Sequence, residues 1–142
     1  MRLADVNILV YAFRTAAPGH AAHRKWLDAM VASDEAYAVS DQVLSGFLRI
    51  VTNPRIFEPP TPIGPALDFA RAFRSRTNAV QLTPGPRHWD IFARLCHDVG
   101  ARGNLVPDAW LAALAIESGC EFITTGRDFA RFPGLRWKHP LG

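Results

Sequence analysis

The chain has 142 residues, a length typical of one domain and too short for two domains of ordinary size. Hydrophobic residues make up 49% of it and charged residues 20%, which favours a soluble globular protein and excludes an intrinsically disordered chain. The formal net charge of +3 is compatible with a polyanionic partner but does not require one.

The sequence contains no recognisable secretion signal or membrane segment. An apolar run that carries Asp5 follows the N-terminal residue almost directly, and no stretch reaches the roughly 18 apolar residues that a membrane span needs. The two cysteines, Cys96 and Cys120, have the spacing of neither metal ligands nor a disulfide framework. We therefore expect a cytoplasmic protein with reduced thiols and no membrane association.

The first predicted element is a strand over residues 2–13. Its near-continuous apolar run is typical of a strand that is buried on both faces of a parallel sheet. Helical spacing of apolar residues predicts a helix over residues 20–31, and residues 37–39 form a short strand candidate.

The middle of the chain predicts two helices separated by a loop. Ser40 or Asp41 caps the first of these helices, which runs to about Thr52. Four prolines within residues 58–65 require a loop, and the second helix follows it.

The last part of the chain alternates strands with helices. Strands are predicted at residues 80–82, 121–124 and 135–138, with one helix opened by Pro86 and another, over residues 108–118, opened by Pro107. This alternation predicts a single α/β domain over the whole chain, with a central, mostly parallel sheet flanked by helices.

The first unusual residue is Asp5, a carboxylate inside an apolar segment. Burying a carboxylate is unfavourable by several kcal/mol, on the order of 5, unless it is paired, hydrogen-bonded or bound to a metal. Asp5 could therefore cap a helix or pair with an arginine, or it could belong to a functional site. Asn7, two residues further on, would share its side of a strand and could hold it in place.

A second acid, Asp108, opens an otherwise apolar helix. An aspartate there often only stabilises the helix dipole. In a parallel α/β domain, however, helix N-termini and strand carboxyl ends meet at the edge where ligands usually bind. The segment after the predicted strand at residues 121–124 brings Asp128 and the hydroxyls of Thr124 and Thr125 to the same edge. Three converging carboxylates suit a hard cation that would activate water for attack on a phosphodiester.

Three segments resemble the start, middle and end of a PIN domain, and in particular the VapC toxins of type II toxin–antitoxin systems: LADVNILVYAF, SDQVLSGFLRIVTNPRIF and VPDAWLAALAIESGCEFITTGRDFARFPGLRW. The resemblance covers nearly the whole chain. It implies a PIN-like three-layer sandwich, RNA cleavage that depends on Mg²⁺ with Mn²⁺ as a substitute, a homodimer, and inhibition by a VapB-type antitoxin.

The resemblance also implies roles for individual residues. Asp5 and Asp108 match the family's metal ligands, and Asp128 matches an acid of its last motif, so these three are the predicted catalytic residues. Two positions depart from the family pattern, because Gly46 and Gly126 stand where acidic residues are common.

Several residues could serve this site in supporting roles. Asp41 or Glu117 would compensate for the acid missing at position 46, and Asp128 for the one missing at position 126. Asn7 with Thr124 or Thr125 would supply hydrogen bonds to the acids. Arg127, Arg131 and Arg136 are candidate contacts for RNA phosphates, because they surround the acidic segment.

Two other interpretations remain open at this point. The two glycines favour a PIN-fold protein that binds RNA or an antitoxin but has weakened catalysis. A receiver-like α/β domain also places acids at strand ends, although the sequence offers no matching phosphoacceptor and lysine. Neither interpretation changes the predicted fold class.

Overall fold

The computed structural model describes all 142 residues and is built around a parallel sheet of five strands. Every pair of neighbouring strands is parallel, and the strand order is β3-β2-β1-β4-β5. The strands are β1 (Arg2–Ala4), β2 (Tyr37–Ser40), β3 (Ala79–Leu82), β4 (Glu121–Ile123) and β5 (Trp137–Lys138).

Helices connect the strands and flank the sheet, which confirms the predicted α/β fold class. They are α1 (Val6–Phe13), α2 (His20–Ala32), α3 (Asp41–Val51), α4 (Ile63–Arg74), α5 (His88–Val99), α6 (Leu105–Ser118) and a short 3-10 helix (Arg127–Arg131). Helix α1 packs against α2 and α3, and α5 packs against α6. None of these helices combines the length and apolar character that crossing a bilayer demands.

The predicted strand over residues 2–13 is wrong in its second part. The strand ends at Ala4, and the segment from Val6 to Phe13 is helix α1. Asp5 stands at the boundary, where its carboxylate accepts a hydrogen bond from the backbone N–H of Val6 and caps the helix. Because α1 is buried over most of its surface, its sequence is apolar without a helical period, and such a run resembles a buried strand.

Three helices begin at positions other than predicted. Helix α4 starts at Ile63, so the loop is shorter than expected and Pro65 lies in the first helical turn. The N–H that Pro65 lacks would have no partner within the helix at this position, so no hydrogen bond is lost. Helix α6 starts at Leu105, and α5 starts two residues after Pro86. The other predicted elements are confirmed to within one or two residues.

The main hydrophobic core holds 28 buried residues that come from the sheet and from all six helices. Tyr37, Phe47 and Phe122 are its largest fully buried side chains. The core also anchors the 3-10 helix, because the Phe129 ring lies 4.6 Å from that of Phe122, centre to centre. This anchoring places the segment after β4 at the carboxyl edge of the sheet.

Candidate functional site

Asp5 lies between β1 and α1, and both of its carboxylate oxygens are held by hydrogen bonds. Oδ1 accepts from the Val6 backbone N–H at 2.7 Å, and Oδ2 accepts from the Thr124 hydroxyl at 2.7 Å. Its own backbone N–H donates to the Ile123 carbonyl on the neighbouring strand at 2.8 Å. The side chain is 7% exposed, so a nearly buried carboxylate is fixed in direction by two adjacent strands.

Thr124 is the residue that orients Asp5. It is fully buried, donates its hydroxyl proton to Asp5, and accepts a hydrogen bond from the Gly126 backbone N–H at 2.9 Å. Of the residues predicted to support Asp5 by a hydrogen bond, Thr124 is therefore the one that does so. Neither Thr125 nor Asn7 makes a hydrogen bond with Asp5, and Asn7 lies on α1 rather than on a strand.

A cleft of about 520 Å³ lies at the carboxyl edge of the sheet, and Asp5, Asp108 and Asp128 all line it. The predicted convergence of three acids is thus confirmed. Asp108 stands in the first turn of α6, and Asp128 stands in the first turn of the 3-10 helix. Burial increases from Asp128, which is exposed, through Asp108, which is half-buried, to Asp5.

The three acids repel one another, and no basic side chain pairs with any of them. The ion pairs of the chain lie elsewhere, at Arg24–Asp28 and Arg74–Asp41, and a His97 ring nitrogen lies near Asp98. Burial raises the pKa of Asp108 to about 6, and the negative charges of Asp5 and Asp128 add to the rise. Burial also raises the pKa of Asp5, against the opposing effect of its hydrogen bonds from Thr124 and Val6.

This charge arrangement and donor chemistry fit a hard divalent cation. Carboxylate oxygens are its preferred ligands, and a cation would relieve the repulsion that raises the Asp108 pKa. No group of three or more His, Cys, Asp or Glu side chains forms a ready-made cage for a metal. The acids would therefore hold such an ion together with part of its water shell.

The two glycines at the expected acidic positions both line the cleft, but their surroundings differ. A Cβ atom at Gly46 would lie 3.0 Å from Cγ2 of Val6, because α3 approaches α1 closely at this point. A Cβ atom at Gly126 would meet nothing closer than Oγ1 of Thr124, at 3.4 Å. Position 126 has room for a side chain, whereas position 46 does not unless Val6 moves.

The expectation that Asp41 or Glu117 compensates for Gly46 is wrong, since neither lines the cleft. Asp41 pairs with Arg74 of α4, with an oxygen–nitrogen distance of 2.7 Å. Glu117 stands near the C-terminal end of α6, where it accepts backbone hydrogen bonds from Gly85 at 2.7 Å and from Arg87 at 2.9 Å. Both carboxylates hold neighbouring segments together.

The predicted basic contacts are only partly placed near the acids. Arg127 and Arg131 are exposed on the 3-10 helix that carries Asp128. The expectation for Arg136 is wrong, because its guanidinium donates to the Gly119 carbonyl at 2.7 Å, at the opposite edge of the sheet. That carbonyl precedes β4, whereas Asp5 and Asp128 follow the carboxyl ends of β1 and β4.

Sequence reasoning missed Arg49, which is the one basic residue that lines the cleft. It stands in the last turn of α3 and is exposed. The available signal was its spacing from Gln42 and Gly46, because residues seven and three positions away share its helical face. This spacing shows that the three residues share one face of α3, but it does not show that this face lines the cleft.

The raised pKa of Asp108 predicts a pH dependence of stability in the absence of metal. Because the folded protein holds this proton with a pKa of about 6 against an ordinary value of 3.8, the free energy of unfolding should fall as pH rises from about 4 to 6. Asp108→Asn should remove that contribution and exceed the parent in stability at neutral pH. Urea unfolding in EDTA between pH 4 and 8 measures both curves. Parallel curves, or a less stable variant at neutral pH, would contradict the prediction.

Comparison with known proteins places the chain in a family. The PIN domain family model matches residues 2–135. Ribonuclease VapC43 of Mycobacterium tuberculosis is 44% identical over 141 residues, which cover 99% of this chain and 96% of that protein. Ribonuclease VapC25 of the same species is 41% identical over 140 residues, which cover 99% of both chains.

Two solved structures share the fold. One is VapBC2 from Rickettsia felis bound to a DNA fragment from its promoter, with a TM-score of 0.70, 18% identity and 97% of each chain covered. The other is VapBC-1 from nontypeable Haemophilus influenzae, with a TM-score of 0.71, 15% identity, and 99% of this chain and 98% of that chain covered. From the family model, the full-length relatives and the shared fold together, the chain belongs to the PIN-domain family, in its branch of VapC ribonucleases.

Proposed function

We propose that this chain is a metal-dependent endoribonuclease that acts as the toxin of a VapBC pair. The observation that carries the proposal is the meeting of three acids in one open cleft without an ion-pair partner. A site with this much uncompensated negative charge is poorly suited to bind RNA by itself. It becomes suited once a divalent cation stands between the acids and a phosphate.

We assign Mg²⁺ to Asp5 and Asp108, with Mn²⁺ as a substitute. When bound, such an ion neutralises phosphate charge and lowers the pKa of an attacking water. Thr124 keeps the Asp5 carboxylate turned into the cleft through its 2.7 Å hydrogen bond. Asp128, on the exposed side of the cleft, orients the water or receives its proton.

The proposed partners are an RNA substrate and a VapB-type antitoxin. The antitoxin assignment draws on the two related structures, whose names describe VapBC assemblies. The net charge of +3 is compatible with an RNA partner. The homodimer that the resemblance implies and the cytoplasmic location that the sequence composition predicts both stay predictions.

A cleavage assay tests the proposed function. Purified protein is incubated with end-labelled single-stranded RNA in Mg²⁺, in Mn²⁺ and in EDTA, and the products are separated on a gel. We expect internal cleavage in either metal, loss of cleavage in EDTA, and recovery when excess Mg²⁺ is added back. Cleavage that continues undiminished in EDTA would contradict the metal assignment.

A second candidate is a PIN-fold protein that binds RNA without cutting it, and Gly46 and Gly126 are the residues that favour it. The same assay separates the two candidates if binding is followed in parallel by fluorescence anisotropy. Tight binding with no product at saturating Mg²⁺ and Mn²⁺ would support the second candidate and overturn the first.

A further inference from the structure

One side of the cleft is formed by α3 and differs chemically from the sides that carry the acids. Gln42, Ser45, Gly46 and Arg49 line the cleft, and their spacing of three, four and seven residues places them on one face of the helix. We call this face the α3 wall. The opposite face of α3 is apolar and buried in the core, so the wall is held rigidly against the cleft.

The polar side chains of the α3 wall have no partners within the protein. Gln42, Ser45 and Arg49 are exposed, and none of them forms a side-chain hydrogen bond or an ion pair. Some arginines elsewhere are engaged, since Arg74 pairs with Asp41 and Arg136 donates to a backbone carbonyl. The guanidinium of Arg49 instead shares a cleft with three carboxylates while no carboxylate oxygen lies within 4.0 Å of its nitrogens.

Gly46 keeps acidic side chains off this wall. Because a Cβ atom there would press on Val6 at 3.0 Å, position 46 carries no side chain into the cleft. The α3 wall therefore offers only an amide, a hydroxyl and a guanidinium, while the acids stand on the other sides. A nucleic acid strand that places one phosphate at the acids would bring its neighbouring phosphates toward groups that can donate hydrogen bonds.

We propose that the α3 wall binds the RNA backbone and that Arg49 contacts a phosphate next to the one held at the acids. The inference rests on the proposed ribonuclease function and assigns the substrate-binding side of that site. A guanidinium suits this position because its planar set of N–H donors matches two phosphate oxygens at once. Ser45 and Gln42 lie about one and two helical turns away, respectively, and extend the contact along the strand.

Binding measurements on matched variants test the assignment. Asp108→Asn serves as the background because it protects the RNA probe from cleavage and removes one of the negative charges that oppose RNA binding. Arg49→Ala, Arg49→Lys and Arg71→Ala are added singly. Arg71 is an exposed α4 arginine outside the cleft and without an ion pair, so its loss changes the net charge equally. The probe is a short fluorescein-labelled single-stranded RNA, followed by anisotropy over a series of salt concentrations.

We expect Arg49→Ala to raise Kd by about tenfold and to lower the slope of log K against log salt by about 0.7, the value for one phosphate contact on a single strand. Arg49→Lys should keep the slope and lose part of the affinity, because it retains the charge without the paired donors. Arg71→Ala should stay within about twofold of the background. Equal losses for Arg49→Ala and Arg71→Ala would overturn the inference, since only overall charge would then matter.

A metal titration separates this inference from a structural role of Arg49 and from failure of the proposed function. With Asp108 intact and no RNA present, Arg49→Ala should bind Mn²⁺ at least as tightly as the parent in calorimetry, because a positive charge leaves the cleft. Weaker Mn²⁺ binding would show that Arg49 acts by shaping the metal site and would overturn the inference. If the parent cleaves RNA and Arg49→Ala binds it normally, the inference falls while the proposed function stands. If the parent neither binds nor cleaves RNA, both fall.

Discussion

Asp108→Asn is expected to lower kcat/KM for RNA cleavage by more than about 100-fold while the protein remains folded. Even the hydrogen-bond partners of metal ligands typically change affinity or activity by about 10- to 100-fold when they are replaced, and a ligand itself should exceed that. Asp108 is half-buried and its carboxylate forms no ion pair, so an amide of the same shape removes charge without removing a structural contact. Initial rates with labelled RNA in Mg²⁺ measure the effect.

Asp68→Asn is the matched control for that experiment. Asp68 is an exposed aspartate of α4 that does not line the cleft, and the same chemical change there should leave the rate within about twofold of the parent. Asp128→Asn should give an intermediate loss, because this acid is the most exposed of the three. If Asp108→Asn keeps more than a tenth of the parent rate, Asp108 is not a metal ligand.

Gly126→Asp is expected to strengthen Mn²⁺ binding by about tenfold, which is the effect of roughly 1.4 kcal/mol from one added carboxylate near the ion. The backbone at Gly126 has φ −81°, which any residue adopts, and a Cβ atom there meets Thr124 at an ordinary 3.4 Å. The new carboxylate would enter a cleft that Gly126 already lines. Calorimetric titration with Mn²⁺ measures the change, and Gly126→Asn is the uncharged control. Equal affinities for the two variants would show that position 126 does not reach the ion.

Placing an acidic side chain at position 46, in contrast, should destabilise the protein. Gly46→Glu and Gly46→Ala are both expected to lower the free energy of unfolding by about 1–3 kcal/mol, because either Cβ atom crowds Val6 at the contact of α1 with α3. Combining Gly46→Ala with Val6→Ala should recover part of that loss, since the smaller side chain removes the crowding. Urea unfolding measures the parent, the two Gly46 variants, Val6→Ala and the double variant. Two losses that simply add would mean that the crowding at Val6 is not the cause.

Much of the site was predictable because a parallel sheet brings the carboxyl ends of its strands together. Asp5, Asp108 and Asp128 are far apart in the chain, yet each follows a strand or begins a helix, and topology alone brings them to one edge. The orientation of Asp5 by Thr124 was foreseen only as one of two neighbouring threonines. Which hydroxyl turns inward depends on packing after β4.

The wrong or missed predictions concern features that the periodicity of the sequence does not reveal. The boundary between β1 and α1 was missed because both are buried and apolar, so neither shows its period. Arg49, Arg136 and Glu117 were misjudged or overlooked because proximity in sequence says nothing about which end of a helix or strand faces the cleft. Only the packing of α3 and α6 against the sheet decides which of their polar residues share a surface.

The hydrogen bonds of Asp5 bear on how an inactive form of a toxic ribonuclease should be made. The carboxylate that is proposed to hold the ion also starts α1 and joins it to the segment after β4. Replacing it would disturb the connection between two central strands as well as the reaction, and the loss of activity would be hard to interpret. Asp108 has no such attachment to the strands. A variant at Asp108 is therefore the better choice for producing this protein in living cells and for capturing RNA or an antitoxin on an intact surface.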